Sequence, residues 1–422
     1  MMEPGVLLIT ANLGTLFEKP QEMLEVWMSK LYETIEKFNP SFIALHCQEV
    51  GGKKFKKCMK EVSSFVSHLM RSSSMEQYDR AAMYLDEDFT LDNHFTALGN
   101  IYFVHNSVKN IQCFDFKDSQ YRTLSGKNIH QGNLLGVSTH VKERFPPHYF
   151  PEVKWSRKGY LRTRWKLENI TFDLVNVHLF HDASNVQAME KSPSLFSNRR
   201  KQALESILEN FSKDKHEKAP FFIFGDFNFR LDAHSLINTL VGKAKPEYTR
   251  VDGAITRVVY TENGGESQVI LNLEVKKFEP LDEEKFNCND ALWLMQYDKE
   301  LECFRKKLFE FERHFPPSYP YSEAIENGSK YMKTRVPAWC DRIFLSLPAK
   351  TILSEDPTKV PTYDVIGEDV CMGDHKPVFL HFHLKVAPSN GQSSSNSVTP
   401  RNVVTSNTNR NKRVIIYRET SV

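Results

Sequence analysis

The sequence contains no long apolar run, although 40% of its 422 residues are hydrophobic. A helix that spans a membrane needs about 20 consecutive apolar residues, and no stretch of the chain approaches that length. The N-terminal segment MMEPGVLLITANL also lacks the basic region and the small-residue cleavage site of a secretory signal peptide. These absences predict a soluble, cytoplasmic protein in which VLLIT forms a buried strand.

Disulfide and zinc-binding spacings are absent as well. The seven cysteines are an odd number and form neither a CxxC pair nor a Cys/His zinc pattern, which favours reduced thiols over a disulfide framework or a zinc site. The formal net charge is only +2, whereas proteins that bind long nucleic acid neutralise its phosphates with a strongly basic surface. We therefore expect no nucleic-acid partner, and we interpret the basic run KKFKK (53–57) as a solvated face.

What the sequence does contain is an alternation of helical and extended patterns. Helix-like apolar spacing covers residues 22–38 and stops before Pro40, and the following run SFIALHCQEV predicts a strand that ends at Glu49. Further patterns predict a strand over 132–141, a hairpin over 162–180, a helix over 197–213, a strand at 221–224 and a long amphipathic helix over 286–313. This order predicts an α/β protein with sheets flanked by helices.

The end of the chain differs in composition from the rest. Residues 387–422 are rich in Ser, Asn and Thr, show almost no apolar periodicity before VIIY (414–417), and carry five basic residues against one acidic residue. Such a segment cannot bury enough apolar surface to offset the entropy of ordering it. We expect a disordered basic tail over 387–422.

Three short polar runs lie next to strand-like segments: GDFNFR (225–230), PAWCDR (337–342) and GDHKPV (373–378). The polar residues that they supply are Asp226, Asn228, Asp341, Asp374 and His375. Hydrolysis of a phosphate ester needs accelerations of up to ~10²¹-fold, which a metal ion, a positioned water and cationic donors provide. One Asp-x-Asn after a strand predicts only an Asx turn, but three such loops in one domain predict phosphate-ester chemistry.

These loops also occur in a recognisable order. With TANLG (10–14), HCQEV (46–50) and VNVHLF (175–180), they resemble the endonuclease/exonuclease/phosphatase superfamily, which implies a four-layer α/β sandwich of the DNase I-like fold. The paired signatures GDFNFRL and PAWCDR are similar to those of type I inositol polyphosphate 5-phosphatases. Further similarity to these enzymes lies in residues 154–165, 178–185, 315–323 and 370–380. The resemblance covers roughly residues 5–385 and implies that residues 1–386 form the catalytic domain.

The resemblance implies a role for each polar residue of the catalytic loops. Asp226, backed by Asn228, orients and deprotonates the attacking water. His375, hydrogen-bonded to Asp341, contacts the scissile phosphate and stabilises the developing charge. His178 donates to the same phosphate from the opposite side.

The implied cofactor is Mg²⁺, which binds few protein oxygens and keeps several waters. Glu49, at the end of its strand, is the strongest single candidate for coordinating this ion. Asn12 is expected to contribute directly or through water. Asp374 is expected to face the metal or its waters.

Substrate recognition is predicted to depend on cations around the site. One segment offers Lys158 and Arg164, within a basic cluster of which half is expected to face solvent. Lys333 and Arg335 would project together from a strand before PAWCDR, with Tyr331 on the same alternation. The resemblance implies that this second segment grips the phosphate next to the one removed.

The sequence therefore predicts a monomeric, Mg²⁺-dependent phosphatase. It would remove the 5-phosphate from inositol 1,4,5-trisphosphate and inositol 1,3,4,5-tetrakisphosphate and so end a calcium-release signal. Two alternatives stay open, namely a phosphoinositide 5-phosphatase that acts on membrane lipids and a non-catalytic scaffold that binds inositol phosphates. The PAWCDR context disfavours a nuclease of the same fold.

The C-terminus departs from the type I pattern. Such enzymes end in a prenylatable Cys-a-a-X box, whereas this sequence ends in ETSV and its last cysteine is Cys371. We expect no prenylation, and we expect Thr420 and Val422 to form the ending that PDZ domains bind by strand addition. The basic tail would then tether the protein peripherally at the plasma membrane.

Overall fold

The computed structural model describes residues 3–90, 94–151, 156–262, 268–287 and 291–385. All of them belong to one unit, Met1–Val386. Within those ranges, no helix has both the length and the apolar character that crossing a membrane would require. The expected disordered tail and the expected PDZ-binding ending lie outside the described residues, so both stay predictions.

Helices and strands alternate through most of the chain. The strands are β1 (Gly5–Asn12), β2 (Phe42–Gln48), β3 (Arg80–Asp86), β4 (Gly99–Val104), β5 (Ile111–Asp115), β6 (Gln120–Thr123), β7 (Lys127–Gly132), β8 (Val141–Arg144), β9 (Gly159–Leu167), β10 (Ile170–His178), β11 (Phe221–Asp226), β12 (Lys245–Val251), β13 (Ala254–Glu262), β14 (Gln268–Glu274), β15 (Lys277–Pro280), β16 (Leu308–Phe309), β17 (Asp341–Ser346), β18 (Thr362–Val365) and β19 (Val378–His383). The helices are α1 (Gly14–Glu18), α2 (Pro20–Phe38), α3 (Phe55–Cys58), α4 (Glu61–Arg71), α5 (Asn185–Met189), α6 (Leu195–Ser212) and α7 (Ala233–Val241).

Two large sheets form the centre of the described structure. One contains seven strands in the order β18, β19, β1, β2, β4, β3, β7, and the other contains eight, in the order β16, β17, β11, β10, β9, β5, β6 with β8 paired to β9. Each sheet has a parallel pair at its centre, β1 with β2 and β10 with β11, joined by helical crossovers through α2 and α6. Since ligands bind beyond the carboxyl ends of parallel strands, these two pairs mark the edge where a site is expected.

The two sheets pack face to face, and helices cover their outer faces. Leu8 of β1 and Phe224 of β11 belong to one apolar cluster between the sheets. Leu7 points the other way, into a cluster with the apolar faces of α2 and α4, and Ile223 packs with α6 on the far side. This alternation along both strands produces the layer order helix, sheet, sheet, helix. The four-layer α/β sandwich predicted from the sequence is therefore confirmed.

Several predicted elements are confirmed. Helix α2 ends at Phe38, and Asn39 follows with a φ of 42°, a left-handed conformation that closes the helix before Pro40. The predicted hairpin corresponds to β9 and β10, which pair antiparallel from Ile170 opposite Leu167 onward. Helix α6 and strand β11 also lie where the apolar patterns place them.

Two predicted elements are wrong. The predicted strand over 132–141 is a connection, because β7 stops at Gly132, whose φ of 80° turns the chain out of the extended region. The predicted long helix over 286–313 contains short 3₁₀ turns and strand β16 instead. Its polar residues are drawn inward, since Glu300 and Glu310 pair with buried arginines elsewhere in the chain, and tertiary contacts override helical periodicity.

A third sheet was not predicted from the sequence. Strands β12 to β15 form an antiparallel meander in sequence order. All residues of the edge strand β12 are exposed. Its polar and apolar residues therefore do not show the one-sided burial on which strand prediction relies.

Candidate active site

The central strands of both sheets end at one place. Strand β1 ends at Asn12, and β2 ends one residue before Glu49. In the second sheet His178 lies opposite Asp226, and Asp226 lies opposite Asp341, the first residue of β17. Strand register therefore brings together polar side chains that are far apart in sequence.

Buried amides join the two sheets below this edge. Gln48 Nε2 donates to Asn176 Oδ1 at 2.8 Å, and Asn176 Nδ2 lies 2.9 Å from Asn100 Oδ1. All three side chains are fully buried. Gln48 comes directly before Glu49 in one sheet, and Asn176 lies two residues before His178 in the other. Because an unsatisfied buried amide costs about 1–3 kcal/mol, these bonds favour one register between the sheets.

Asp226 is a buried carboxylate surrounded by hydrogen-bond donors. Its Oδ2 accepts from Asn12 Nδ2 at 3.1 Å and from Asn228 Nδ2 at 3.0 Å, and its Oδ1 accepts from the Asn228 backbone N–H at 2.8 Å. The last bond is the Asx turn that the Asp-x-Asn pattern predicts. Burial disfavours ionisation, but neighbouring cationic groups, His178 first, outweigh it and hold the pKa of Asp226 well below its usual range. Asp226 is therefore ionised at any working pH.

His375 pairs with Asp341 across two loops. Its Nδ1 lies 2.8 Å from Asp341 Oδ2, which also accepts from Ser318 Oγ at 2.7 Å, and the Tyr319 ring lies against the imidazole with centroids 4.5 Å apart. Burial disfavours the imidazolium, but Asp341 and Asp226 outweigh it and raise the pKa of His375 to about 9. The bond at Nδ1 leaves the protonated Nε2 to face a ligand.

His178 and Lys158 flank the same carboxylate. His178 Nε2 lies 3.1 Å from Asp226 Oδ2 and also contacts the Lys158 ammonium. One nitrogen cannot donate to the carboxylate and accept from the ammonium at once, so the His178 tautomer decides which bond forms. Burial lowers the pKa of Lys158 to about 8, against the opposing effect of Glu49 and Asp226. Lys158 is thus a cationic donor that a phosphate could engage, whereas burial and the Lys158 charge lower the pKa of His178 and favour its neutral imidazole.

Asp226, Asp341 and His375 bring ligand atoms within 4.8 Å of one another, an arrangement that could hold a metal ion. A metal needs an unprotonated histidine, whereas the ion pair keeps His375 protonated at neutral pH. Asp226 already accepts bonds at both oxygens. This trio is better suited to proton transfer and charge stabilisation than to metal binding.

Glu49 has the properties of a metal ligand. Its Oε2 is buried and has no hydrogen-bond partner among the described residues. Gly14 lies close to both Glu49 and Asn12. A Cβ atom added to Gly14 would come within 2.6 Å of Glu49 Oε2 and 3.2 Å of Asn12 Oδ1. Burial disfavours the ionised form of Glu49, but Lys158 and Arg157 outweigh it and lower the pKa of Glu49. A buried oxygen without a partner, next to an amide oxygen, fits a small hard cation such as Mg²⁺.

Asp374, the third predicted metal ligand, is engaged elsewhere. Its Oδ1 accepts from Thr15 Oγ1 at 2.9 Å and its Oδ2 from Lys53 Nζ at 2.9 Å. Lys53 Nζ also donates to Glu323 Oε1 at 2.9 Å, and the single Thr15 hydroxyl proton is donated either to Asp374 or to Glu323 Oε1. These contacts tie the loop of Asp374 to the loop that follows β2, and the expected role of Asp374 towards the metal or its waters stays a prediction. The same contacts correct the interpretation of Lys53 as a purely solvated residue.

Two predicted substrate residues pair with carboxylates outside the cluster around Asp226. Arg164 is buried within the sheet and donates to Asp173 Oδ1 at 2.6 Å. The end of its strand that borders the site is Gly159, which lies opposite His178. Lys333 lies in a turn rather than a strand, and its half-exposed side chain pairs with Glu283 at 2.7 Å. The structure places Arg164 in a buried ion pair within the sheet and shows that the strand predicted for Lys333 is wrong, but the substrate role of Lys333 stays a prediction.

Tyr331 and Arg335 lie near the site but do not project together. The Tyr331 hydroxyl donates to the backbone carbonyl of Pro317 at 2.7 Å, which helps to hold the loop that carries Tyr319. Arg335 is buried and donates to Asn185 Oδ1 and to the backbone carbonyl of Asp182. Tyr331 therefore supports the loop, while Arg335 stays a candidate for phosphate contact.

Arg230 is a candidate site residue that the sequence analysis missed. Its Nη2 donates to Asn228 Oδ1 at 2.7 Å, and its guanidinium lies over the Tyr319 ring, 4.4 Å from the centroid. Its Nε and Nη1 are buried without a hydrogen-bond partner among the described residues. Unsatisfied buried guanidinium donors are expected where an anion binds. The available signal was its position as the last residue of GDFNFR.

The chain matches known proteins over most of its length. A family model described as Endonuclease/Exonuclease/phosphatase family 2 matches residues 280–381. Inositol polyphosphate-5-phosphatase A of Rattus norvegicus is 47% identical over 395 residues, which cover 92% of this chain and 95% of the rat protein. The Homo sapiens protein of the same name is 48% identical over 387 residues, covering 90% of this chain and 94% of the human protein.

Similarity extends to a nematode protein and to a solved structure. A Caenorhabditis elegans protein named probable type I inositol 1,4,5-trisphosphate 5-phosphatase is 36% identical over 413 residues, 90% of this chain and 99% of its own length. The inositol polyphosphate 5-phosphatase domain of SPsynaptojanin, solved with inositol (1,4)-bisphosphate and a calcium ion, matches 90% of this chain and 84% of that chain with 14% identity and a TM-score of 0.47.

Proposed function

The chain belongs to the inositol polyphosphate 5-phosphatase family, and from this premise we propose which substrates, metal and residues it uses. It is a phosphatase with a DNase I-like α/β sandwich. The proposed substrates are soluble inositol 1,4,5-trisphosphate and inositol 1,3,4,5-tetrakisphosphate, from which it would remove the 5-phosphate. Removal of the 5-phosphate would end a calcium-release signal.

The observation that supports this proposal is a group of buried charges that is incomplete without an anion. The charges of the His375 imidazolium and the Lys158 ammonium both act on Asp226, whose Oδ2 lies 3.1 Å from His178 Nε2. Arg230 adds two buried N–H groups that have no partner in the described residues. A polyphosphorylated ligand would supply the acceptors that these cations need.

Mg²⁺ is the proposed cofactor, and Glu49 with Asn12 would hold it. The unpartnered Glu49 Oε2 and the space kept open by Gly14 fit a cation that binds through few protein oxygens. When bound, the ion would neutralise phosphoryl charge as a Lewis acid. Asp374, whose oxygens accept from Thr15 and Lys53, would act on the waters of this ion rather than bind it directly.

Asp226 would orient the attacking water and accept its proton. The cationic groups that lower the pKa of Asp226 are the same groups that a substrate phosphate would neutralise. Phosphate binding would therefore raise the proton affinity of Asp226 when the water must lose a proton. His375, held at Nδ1 by Asp341, would donate from Nε2 to the developing charge. No covalent enzyme intermediate is required.

Recognition of a neighbouring phosphate would fall to Arg230 and Arg335. Burial lowers the pKa of Arg335, and the nearby Arg230 lowers it further. An anion bound near both guanidinium groups would offset the effect of Arg230 on the charge of Arg335. Arg230 thus replaces Lys333 in the predicted substrate set.

Phosphate release from a panel of inositol phosphates and phosphoinositides tests the proposal. We expect Mg²⁺-dependent release from the two soluble substrates and no release from inositol 1,4-bisphosphate, which has no 5-phosphate. A Glu49→Gln variant should bind Mg²⁺ more weakly in calorimetry as well as react more slowly. Faster release from a membrane phosphoinositide than from either soluble substrate would instead favour the lipid phosphatase.

A further inference from the structure

A short basic loop lies next to the candidate active site. Residues 53–60 contain five lysines and no acidic residue, and all five lysines are exposed. The loop begins directly after Gly52, three residues beyond Glu49. We name it the basic rim, and it consists of Lys53, Lys54, Lys56, Lys57 and Lys60.

Direct contacts fix the basic rim to the site. Lys53 Nζ bonds to Asp374 Oδ2 at 2.9 Å. Arg157, whose charge acts on Glu49, donates to the backbone carbonyl of Gly52 at 3.2 Å and lies over the Phe55 ring at 4.9 Å. A surface that contacts the rim therefore comes to lie beside the site.

Carboxylates of the chain neutralise the basic rim only in part. Lys54 lies 3.6 Å from Glu18, and Lys60 lies 3.6 Å from Glu61, but these lysine side chains are 71% and 80% exposed. Pairs that exposed contribute little and exchange readily for another partner. Lys56 and Lys57 have no recorded ion pair within the described part of the chain. Their charges are available to an anionic partner.

The basic rim offers charge without an exposed aromatic side chain. Phe55 packs inward against Phe89 and Phe95, with ring centroids 5.4 and 5.3 Å apart. Single-stranded nucleic acid is held by aromatic stacking platforms along an extended basic groove, and the described residues of this eight-residue segment present neither feature. A dense layer of anionic headgroups needs only exposed cations, so the rim fits that partner better.

We propose that the basic rim binds the surface of an anionic bilayer and holds the active site beside that surface. The attraction acts within a Debye length, about 10 Å at 0.1 M salt, and each lysine near such a surface contributes about fivefold to binding. This role goes beyond the proposed reaction and does not depend on the identity of the substrate.

Replacing three rim lysines together tests the proposal in the full chain. In Lys54→Gln/Lys56→Gln/Lys57→Gln, Lys53 stays intact because it contacts Asp374. Co-sedimentation is measured with phosphatidylcholine vesicles that contain phosphatidylserine and with vesicles of phosphatidylcholine alone. We expect partition to the anionic vesicles to fall by ~100-fold for the three lysines.

A second triple variant provides a matched control. Lys213, Lys215 and Lys218 are exposed and lie just before β11, whose far end carries Asp226. Lys213→Gln/Lys215→Gln/Lys218→Gln changes the net charge by the same amount at the opposite end of the strand. We expect this control to bind anionic vesicles as the wild type does. Both variants should release phosphate from soluble substrate at the wild-type rate.

Three results would overturn the proposal. The first is an equal loss of binding to anionic vesicles in the two triple variants, and the second is no such loss in the rim variant. The third is binding of all three proteins to neutral vesicles as strong as their binding to anionic vesicles. Rim-dependent binding to single-stranded RNA that exceeds vesicle binding would assign the rim to nucleic acid instead. Vesicle binding by a protein that releases no phosphate would contradict the proposed substrates and leave the rim assignment standing.

Discussion

Asp341 and Arg342 are adjacent in the PAWCDR motif and both have no exposed surface, yet they bury charge in two different ways. Arg342 donates from Nε to Glu310 at 2.6 Å and from Nη1 to Asp298 at 2.9 Å, so its charge is balanced within the protein. Asp341 points to the opposite face of β17, where it pairs with His375 and keeps a buried Oδ1 without a partner.

This difference distinguishes a structural network from a site. Arg200 repeats the structural arrangement, since it pairs with Asp182 and Glu300 at full burial. At the site, Glu49 Oε2 and two nitrogens of Arg230 are buried and unsatisfied. Burial and charge are common to both regions. Single unpartnered atoms also occur elsewhere, as at Arg313 Nη1 beside Asp298, but the candidate site combines several of them, from Glu49, Arg230 and Asp341.

The largest expected effect is loss of turnover in Asp226→Asn. The substitution removes the acceptor for the attacking water, and general bases contribute roughly 10²–10⁴-fold. Phosphate release per folded molecule measures the loss, and thermal unfolding should show lower stability, because the cations that hold the pKa of Asp226 low lose their partner. As a control, Asp173→Asn should lower stability and spare turnover, since Asp173 only pairs with Arg162 and Arg164. Near wild-type turnover in Asp226→Asn would remove it as the base.

Arg342→Met should lower stability and leave turnover largely unchanged. It leaves Asp298 and Glu310 as buried charges without their main partner, which costs about 3–5 kcal/mol in the free energy of unfolding. Denaturant titration measures this cost, and kcat per folded molecule should stay within severalfold of the wild type. If Arg342→Met abolished turnover at unchanged stability, the division into structural and catalytic networks would be wrong.

Arg335 and Lys333 should differ in their effect on substrate selection. Arg335→Met should lower kcat/KM for substrates with a phosphate next to the scissile one by an amount equivalent to about 1.5–3 kcal/mol, the value of a bond to a charged group. Lys333→Gln should have almost no effect, because its half-exposed ion pair with Glu283 contributes little. Comparing substrates with and without the neighbouring phosphate checks this. Equal losses on both substrates would show that Arg335 is structural.

The smallest expected effect concerns a buried base outside both networks. Burial, with smaller contributions from Lys142 and His130, lowers the pKa of His140 to about 4 from its ordinary 6.5. As the pH falls, His140 is therefore protonated in the unfolded chain before it is protonated in the folded protein. The free energy of unfolding decreases as the pH drops from 6.5 toward 4. By pH 5 this costs about 2 kcal/mol. His140→Phe should flatten the acid side of the stability profile, and an unchanged slope would contradict the assignment.

The fold and the catalytic loops could be predicted because their signals are local. The apolar run before Gly225 predicts β11, and the Asp-x-Asn pattern predicts the Asx turn that Asp226 and Asn228 form. The same local reasoning failed for 286–313, where distant arginines draw the acidic residues inward. It also failed for Lys333, because a turn replaced the strand on which its alternation with Arg335 depended.

By itself the sequence determined which strands carry chemical groups at their ends, since hydrophobic period and turn residues act over a few neighbouring positions. Only the tertiary structure decided which cations serve the site. Arg164 meets Asp173, Lys53 meets Asp374, and Arg230 meets no carboxylate among its recorded hydrogen-bond partners. The physical reason is that the role of a buried charge depends on the groups within about 4 Å of it. Those groups come from strands that are far apart in sequence and meet only when the protein is folded.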